Sequence, residues 1–209
     1  MLLNKIPLSL YVHLPWCETQ CPYCDFSVTT DPVNDNDERL AEAIIKDINQ
    51  SKDLIAGRKF KTIYFGGGTP SLASTKSIKH ILDSIKGKFI FKDAEITLEM
   101  NPNDVYGDRI DELLMAGINR ISLGIQSYNN QELQALGRNH DRKSAIKATR
   151  ALEGINSTID LIYGIEKQTP ESVAKNLKTI IDSNINHLSL YQLTIEPNTI
   201  FYKKELLLP

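Results

Sequence analysis

The segment Cys17-Glu18-Thr19-Gln20-Cys21-Pro22-Tyr23-Cys24 contains all three cysteines of the chain and closely follows an apolar run over 8–14. Thiolates at this C-x3-C-x2-C spacing can ligate one metal centre together. A tetrahedral zinc site takes four ligands, and an iron–sulfur cluster normally takes four cysteines. Three cysteines leave one iron of a four-iron cube without a protein ligand. We interpret the segment, called the cysteine loop below, as the holder of such a cluster, and we expect the rest of the chain to hold a molecule on the open iron.

Two simpler interpretations of the cysteines are a structural disulfide and a structural zinc site. An odd number of cysteines and an N-terminus unlike a signal peptide argue against a disulfide. Zinc keeps support from the spacing alone, because His13 could complete a Cys3His site. His13 lies within the strand predicted before the loop, and the residues downstream favour the cluster.

The composition describes an ordinary globular chain. It has 209 residues, of which 41% are hydrophobic, and a net charge of −2, which is enough for one sizeable domain with a core. The near-neutral balance gives no basic surface for nucleic acid, and no apolar run approaches the ~20 residues that a membrane helix needs. Free cysteines without a secretory signal suit a reducing cytoplasm, which is the expected location.

Short apolar runs alternate with longer helical patterns along the whole chain. Strands are predicted over 8–13, 62–65, 95–99, 120–125, 158–162 and 187–193. Helices are predicted over 37–55, 70–85, 108–116, 130–136, 142–152 and 170–182. Thr69 is the expected N-cap of the second helix, with Pro70 at its first position, and Gly117 is expected to end the third. Six β-α repeats predict an α/β fold with a parallel sheet, either open or curled into part of a barrel.

Chemically useful residues follow the predicted strands. Ligands of parallel sheets bind beyond the carboxyl ends of the strands. Strand one runs into the cysteine loop, and the others end near Gly66-Gly67-Gly68-Thr69, Glu99-Met100-Asn101, Gln126-Ser127, Asp160, and Gln192 with Thr194. This convergence predicts a ligand site on one edge of the sheet.

The glycine run and Glu99 each have a functional and a structural interpretation. The run matches neither the phosphate-loop nor the dinucleotide fingerprint, but glycines permit close backbone approach to a ligand. A helix beginning at Pro70 would aim free N–H groups at a ligand carboxylate, whereas the alternative is a tight turn. Glu99 suits an ammonium group or ribose hydroxyls, whereas the alternative is a solvated charge.

Taken together, these motifs resemble the radical S-adenosylmethionine (SAM) superfamily, and within it the family of the HemW heme chaperones and the oxygen-independent coproporphyrinogen III dehydrogenases. The motifs are YVHLPWC over 11–17, GGGTPS over 66–71, NRISLGIQS over 119–127, LGR over 136–138 and IDLIYG over 159–164. The segments CDF over 24–26 and LSLYQLTIEPNT over 188–199 are more similar to the HemW branch. The resemblance covers nearly the whole chain and implies a partial (β/α)6 barrel with parallel strands.

The resemblance also implies roles for individual residues. The metal ligands of a [4Fe-4S] cluster would be Cys17, Cys21 and Cys24, and the amine and carboxylate of SAM would chelate the fourth iron. The implied SAM contacts are Tyr11, Tyr23, Gly67, Gly68, Thr69, Glu99, Gln126, Arg138 and Asp160. Among these, Tyr23 would pack near the adenine, and 67–69 would contact the methionine part.

Phe26 and the length of the chain depart from the family pattern. Phe26 stands where the dehydrogenase has a further cysteine, which favours a heme chaperone over a coproporphyrinogen-oxidising enzyme. The sequence stops at Pro209, whereas the family continues with a C-terminal domain, so residues 1–209 are expected to be the radical SAM core alone. Heme or a porphyrin is the expected further ligand, with a heme-acceptor protein as a partner. Coproporphyrinogen dehydrogenase activity and a structural metal domain without SAM chemistry stay open.

Overall fold

The computed structural model describes residues 6–33, 36–55, 57–89, 93–204, 206 and 208. The strands are β1 Leu8–Leu14, β2 Phe60–Gly67, β3 Glu95–Met100, β4 Arg120–Gln126, β5 Ser157–Tyr163 and β6 His187–Gln192. The helices are α1 Asn36–Gln50, α2 Lys52–Ile55, α3 Thr75–Lys86, α4 Arg109–Ala116, α5 Asn130–Ala135, α6 Arg142–Ala151 and α7 Pro170–Ile181. Among them, no helix is long and apolar enough to cross a bilayer.

All six strands pair in parallel, in the order β1-β2-β3-β4-β5-β6. Each strand therefore pairs with its neighbours in sequence, with helices in the connections, and the predicted parallel α/β arrangement is confirmed. Because parallel strands all end at the same edge, the loops after β1 to β6 meet there.

The side chains of the strands alternate between an apolar and a polar face. On β4, Ile121 and Leu123 are fully buried in the core, whereas Ser122 lies on the opposite face. The pairing places Ser122 beside Glu99 of β3, and the same face of the sheet carries Asp160 of β5. The apolar face packs against the helices, so the polar face is left to line a site.

The predicted start of the second helix, at Pro70, was wrong. Pro70–Leu72 forms a short 3-10 helix, and the side chain of Thr69 makes no capping hydrogen bond. The α-helix begins only at Thr75, with Ser74 as the N-cap that accepts from the N–H of Ser77. The interruption has a physical cause, because the buried Arg109 guanidinium donates to the carbonyls of 71 and 73 and holds that segment out of helical geometry. The N-terminus of the α-helix therefore lies at Thr75 and not at Pro70.

Two other predictions concern where helices end, and one of them was wrong whereas the other is confirmed. The helix predicted over 37–55 is two helices, α1 and α2, separated at Ser51. The predicted stop at Gly117 is confirmed, because this residue adopts a left-handed conformation with φ +113° and its N–H returns to the carbonyl of Leu114.

Candidate cofactor site

The cysteine loop is fixed to the body of the fold by backbone hydrogen bonds. The N–H of Cys17 donates to the carbonyl of Thr29 at 2.9 Å, and the N–H of Thr29 donates to the carbonyl of Pro15 at 2.9 Å. Within the loop, the N–H of Cys24 donates to the carbonyl of Cys21 at 3.0 Å. All three cysteines are free and partly buried. Burial raises the pKa of Cys17 and Cys24, and the neighbouring thiols add to this effect.

His13 does not serve as a fourth ligand beside the cysteines. Its Nε2–H donates to the carbonyl of Ser27 at 2.8 Å, so its Nδ1 accepts from the hydroxyl of Tyr11 at 3.1 Å. Among the described residues, no three His, Cys, Asp or Glu side chains are grouped to hold a single metal ion. A four-iron cube makes a different demand, because each cysteine binds a different iron and the three sulfurs need not converge on a single ion. The geometry therefore gives the zinc interpretation no support.

The glycine turn after β2 packs against the cysteine loop. The N–H of Gly68 donates to the carbonyl of Leu14 at 2.8 Å, and the N–H of Thr69 donates to the carbonyl of Trp16 at 2.6 Å. A Cβ atom at Gly68 would lie 2.4 Å from the carbonyl oxygen of Trp16 and 2.9 Å from the Sγ of Cys17. The close approach predicted from the glycines is therefore, at Gly68, an approach to the cysteine loop itself.

Two carboxyl groups on the polar face of the sheet point toward the same space. Glu99 accepts from the hydroxyl of Tyr64 at 2.8 Å and from the N–H of Gly67 at 3.3 Å. Asp160 accepts from the hydroxyl of Ser122 at 2.9 Å, and its other oxygen is buried without a hydrogen-bond partner in the described chain. Burial raises the pKa of both carboxyl groups, and the charge of Asp160 adds to the effect on Glu99.

Arg138 connects the cysteine loop with the ends of β3 and β4. Its Nη1 donates to the Sγ of Cys21 at 3.3 Å, and its Nη2 donates to the Oδ1 of Asn101 at 2.5 Å and the carbonyl of Gly124 at 3.1 Å. Asn101 in turn donates to the hydroxyl of Thr69 at 2.9 Å. One guanidinium therefore joins three of the predicted elements of the site.

These elements enclose a cavity of about 410 Å³ at the carboxyl edge of the sheet. Every predicted site residue except Tyr11 lines it: Cys17, Cys21, Tyr23, Cys24, Gly67, Gly68, Thr69, Glu99, Gln126, Arg138 and Asp160. Tyr11 lies next to the site instead, where its ring stacks on Tyr64 with 6.3 Å between ring centroids. Tyr23 packs against Phe201, at 6.1 Å between centroids.

Sequence reasoning missed several residues of the cavity wall. Asn101 was noticed only as part of a strand end, and Ser122 lies in the middle of β4. Tyr64 does not line the cavity, but its hydroxyl holds Glu99, and its pairing with Thr97 places it on the face of the sheet that carries Glu99. The alternation of side chains along a strand was the available signal. Phe26 and Tyr191 also line the cavity and are more than half exposed.

The cavity fits the two cofactors that the sequence predicts. Three free thiols lie at one end, where a cluster with three cysteine ligands would bind. The buried, unpartnered oxygen of Asp160 needs a donor, which a ribose hydroxyl or an ammonium group supplies. Glu99 adds a second acceptor on the same wall. The fold and this wall define a parallel α/β protein that holds a metal cluster beside a small polar ligand.

Comparison with known proteins gives the family. Residues 11–180 match the Radical SAM superfamily. The structure of coproporphyrinogen III oxidase (HemN) from Escherichia coli, described as a radical SAM enzyme, superimposes with a TM-score of 0.82 at 32% sequence identity, over 97% of this chain and 48% of that one. The chain belongs to the radical SAM superfamily, whose cofactors are a [4Fe-4S] cluster and SAM.

Among curated proteins, the chain is similar to two heme chaperones. It is 40% identical over 207 residues to the heme chaperone HemW of Escherichia coli strain K12. The aligned region covers 97% of this chain and 55% of that protein. It is 45% identical over 204 residues to the heme chaperone HemW of Haemophilus influenzae. That aligned region covers 93% of this chain and 53% of that protein. The chain therefore spans about half the length of the curated relatives it matches.

Proposed function

We propose that residues 1–209 form the radical SAM core of a HemW-like heme chaperone, which binds heme and passes it to an acceptor protein. The observation that carries the proposal is the sequence identity of the chain, which is higher to these HemW proteins than to the oxidase. The chain is 40% and 45% identical to two HemW proteins, but 32% identical to the coproporphyrinogen III oxidase of known structure. The free thiols suit a reducing compartment, so we place the protein in the cytoplasm.

The side chain of Phe26 supports the chaperone over the oxidase. Phe26 lines the cavity two positions after Cys24 and is 59% exposed. A phenyl ring cannot ligate iron or act as a thiol, so this position supplies no further thiolate for an oxidation. Tyr191 and Val28 line the same cavity. Flat apolar surface of this kind suits the face of a porphyrin, because aromatic side chains stack on other rings.

In this proposal each part of the wall has a defined task. The thiols of Cys17, Cys21 and Cys24 would hold the cluster, and the Arg138 guanidinium would hold the Cys21 sulfur in place. The carboxylates of Glu99 and Asp160 would accept hydrogen bonds from SAM and orient it. The two cofactors, when bound, would supply one-electron reductive chemistry, with the electron coming from an external reductant. The residues of the chain would orient the two groups.

Anaerobic assays with heme and with coproporphyrinogen III test the proposal. Cluster-reconstituted protein is titrated with heme and followed by absorbance, both as residues 1–209 and as a fusion to the remaining half of a HemW relative. We expect weak heme binding by the first and tighter binding by the second. The same two proteins are then given SAM, a reductant and coproporphyrinogen III. Formation of protoporphyrinogen IX by either would overturn the chaperone assignment in favour of the dehydrogenase.

A pair of variants tests the apolar wall. Phe26→Ala is expected to weaken heme binding by the fusion several-fold, because it removes aromatic area from the cavity. Leu54→Ala is the matched control, since Leu54 is 77% exposed on α2 and does not line the cavity. Equal heme affinity in the two variants would remove Phe26 from the proposed heme surface.

A further inference from the structure

The end of β4 contains a strained turn centred on Gln126. The N–H of Ser127 donates to the carbonyl of Ile125 at 2.8 Å, which closes a three-residue turn, and Gln126 has a φ of +67°. A γ-turn with positive central φ is rare and strained. The other described non-glycine residues with positive φ, Asp93, Lys167 and Asn198, do not line the cavity, whereas Gln126 does. Strain at such a place persists only when the surroundings enforce it.

A bulge in β4 accompanies this turn. Leu123 pairs with Ile159 and Gln126 pairs with Leu161, so β4 uses one residue more than β5 over this interval. A bulge changes the direction of the side chain that follows it. A Cβ atom at Gly124 would lie 3.1 Å from the Nε2 of Gln126, so the amide of Gln126 lies over Gly124 on the cavity side of the strand.

The carbonyl groups of the bulge are held by two side chains from one short segment. Arg138 donates to the carbonyl of Gly124 at 3.1 Å, and the Nε2–H of His140 donates to the carbonyl of Ile125 at 3.0 Å. The far side of the turn is held as well, because the buried Asn176 accepts from the N–H of Tyr128 at 2.9 Å. The turn is therefore fixed from both ends.

The environment of His140 indicates what this side chain does. Its ring is 6% exposed, and its Nδ1 is buried without a hydrogen-bond partner in the described chain. A buried unpaired nitrogen costs free energy, so an apolar ring would pack here at lower cost if packing were the only task. Burial and the nearby charge of Arg138 lower the pKa of His140 to about 4. The ring is therefore neutral near pH 7, with its proton on the nitrogen that faces Ile125.

We propose that His140 is a positioning residue for SAM binding: it holds the carbonyl of Ile125 and thereby keeps Gln126 in its left-handed conformation, with the amide directed to the cofactor. His140 itself does not touch the ligand and acts through Gln126. The inference rests on the proposed assignment of Gln126 as a SAM contact. It adds a role for a buried side chain outside the predicted site.

Three variants test the bond from His140 to the turn in the chain without cofactors. His140→Phe keeps a ring but removes the donor, whereas His140→Gln offers an amide N–H at a similar reach. Amide hydrogen exchange, measured by NMR, is expected to accelerate about tenfold at Ser127 in His140→Phe. The rate in His140→Gln should return toward that of the parent chain. His140→Leu serves if the phenyl ring prevents folding. Unchanged exchange at Ser127 in the variants without a donor would overturn the proposal.

A double-mutant cycle then tests whether His140 acts through Gln126. SAM affinity is measured by calorimetry on cluster-loaded protein for His140→Phe, Gln126→Ala and both together. We expect each single change to weaken SAM binding, and His140→Phe to have no further effect once Gln126 is alanine. An equal effect of His140→Phe in both backgrounds would overturn the positioning role. Full SAM affinity in Gln126→Ala would instead overturn the assignment of Gln126, and with it the ligand of this proposal.

Discussion

The Nη1 of Arg138 lies 3.3 Å from the Sγ of Cys21, although 117 positions separate the two residues in sequence. The same guanidinium donates to the Oδ1 of Asn101 and the carbonyl of Gly124, so its position is fixed by three acceptors from three parts of the fold. A fixed positive charge therefore lies beside one of the three predicted cluster ligands. Charge and hydrogen bonds at the sulfurs set the reduction potential of an iron–sulfur cluster.

Replacing Arg138 by methionine is expected to make the potential of the reconstituted cluster more negative, by about 60 mV. The reason is that the reduced cluster carries one more negative charge and loses its neighbouring cation, and ~59 mV corresponds to a tenfold change for a one-electron couple. Redox titration followed by electron paramagnetic resonance gives the value. Arg142→Met is the matched control, because Arg142 is exposed in the first turn of α6. Equal potentials in the two variants would contradict this prediction.

A Cβ atom at Gly68 should break the packing of the cysteine loop. Gly68→Ala places a methyl group 2.4 Å from the carbonyl oxygen of Trp16 and 2.9 Å from the Sγ of Cys17, so the backbone of the cysteine loop must shift to accommodate it. We expect a loss of at least about 2 kcal/mol in the free energy of unfolding, together with reduced iron content after reconstitution. Urea denaturation and iron analysis measure the two effects.

Gly87→Ala is the control for that substitution. Gly87 has helical backbone angles, and the nearest atom to its added Cβ is the carbonyl oxygen of Asp83 at an ordinary 3.6 Å. Stability should stay the same or rise by about 0.5 kcal/mol. If Gly68→Ala and Gly87→Ala had the same unfolding free energy and iron content, the contact between the glycine turn and the cysteine loop would not contribute to stability or to cluster binding.

Glu99→Gln is expected to raise the melting temperature of the chain without cofactors at pH 7 while weakening SAM binding. Burial raises the pKa of Glu99, and the charge of Asp160 adds to this shift. The folded chain thus holds this proton more tightly than the unfolded chain, so the contribution of Glu99 to stability is fully present below the unfolded pKa and is lost as pH rises through the folded pKa. Glutamine removes this cost at neutral pH and keeps an oxygen for the hydroxyl of Tyr64. Its NH2 group replaces the oxygen that accepts from the N–H of Gly67 at 3.3 Å, and the loss of that long bond offsets part of the gain.

Glu95→Gln provides the comparison on the same strand. The side chain of Glu95 is 43% exposed and lies 3.6 Å from Arg120. Its neutralisation should give no gain in melting temperature, because an exposed carboxylate is already solvated. Equal melting temperatures for Glu99→Gln and the parent chain at pH 7 would show that the buried carboxylate carries no cost.

The parent chain should lose stability relative to His140→Gln as pH falls from 6.5 toward 4. Burial, with the charge of Arg138, lowers the pKa of His140 from 6.5 to about 4. The unfolded chain therefore takes up a proton in this interval before the folded chain does, and the neutral ring's contribution, fully present above pH 6.5, is lost on acidification. Urea midpoints of both proteins at pH 7 and pH 5 measure the difference. Parallel changes in the two midpoints would exclude His140 as the titrating group.

The residues that meet at the carboxyl edge of the sheet could be predicted from the sequence, because the ends of parallel strands lie together at one edge. Glu99 and Asp160 lie on β3 and β5 with their side chains on one face, so alternation alone brings both to the cavity. Tyr11 does not line the cavity, because its ring turns toward Tyr64 and its hydroxyl binds His13, and neither contact has a sequence signal.

Features that depend on distant side chains could not be predicted. The segment after Thr69 has the N-cap and proline pattern of a helix start. The side chain that keeps this segment from forming an α-helix belongs to Arg109, which lies nearly forty positions later in the sequence. The left-handed backbone of Gln126 is equally hidden, because glutamine has no preference for that conformation and the restraint comes from His140 and Asn176. Local propensity is decided within a few residues, whereas these contacts exist only after the sheet has formed.

The consecutive strand order has a consequence for how the protein is made. Each strand pairs with the strand synthesised just before it, from β1 to β6, so the sheet can grow from one edge as the chain leaves the ribosome. The three thiols precede Arg138 and Asp160 by more than a hundred residues in the sequence, so they emerge earlier than those two residues do. A nascent chain that meets iron before then presents a cysteine loop without its guanidinium and without the opposite wall. Because Tyr191 and Gln192 of β6 also line the cavity, its wall is complete only once the last strand has joined the sheet.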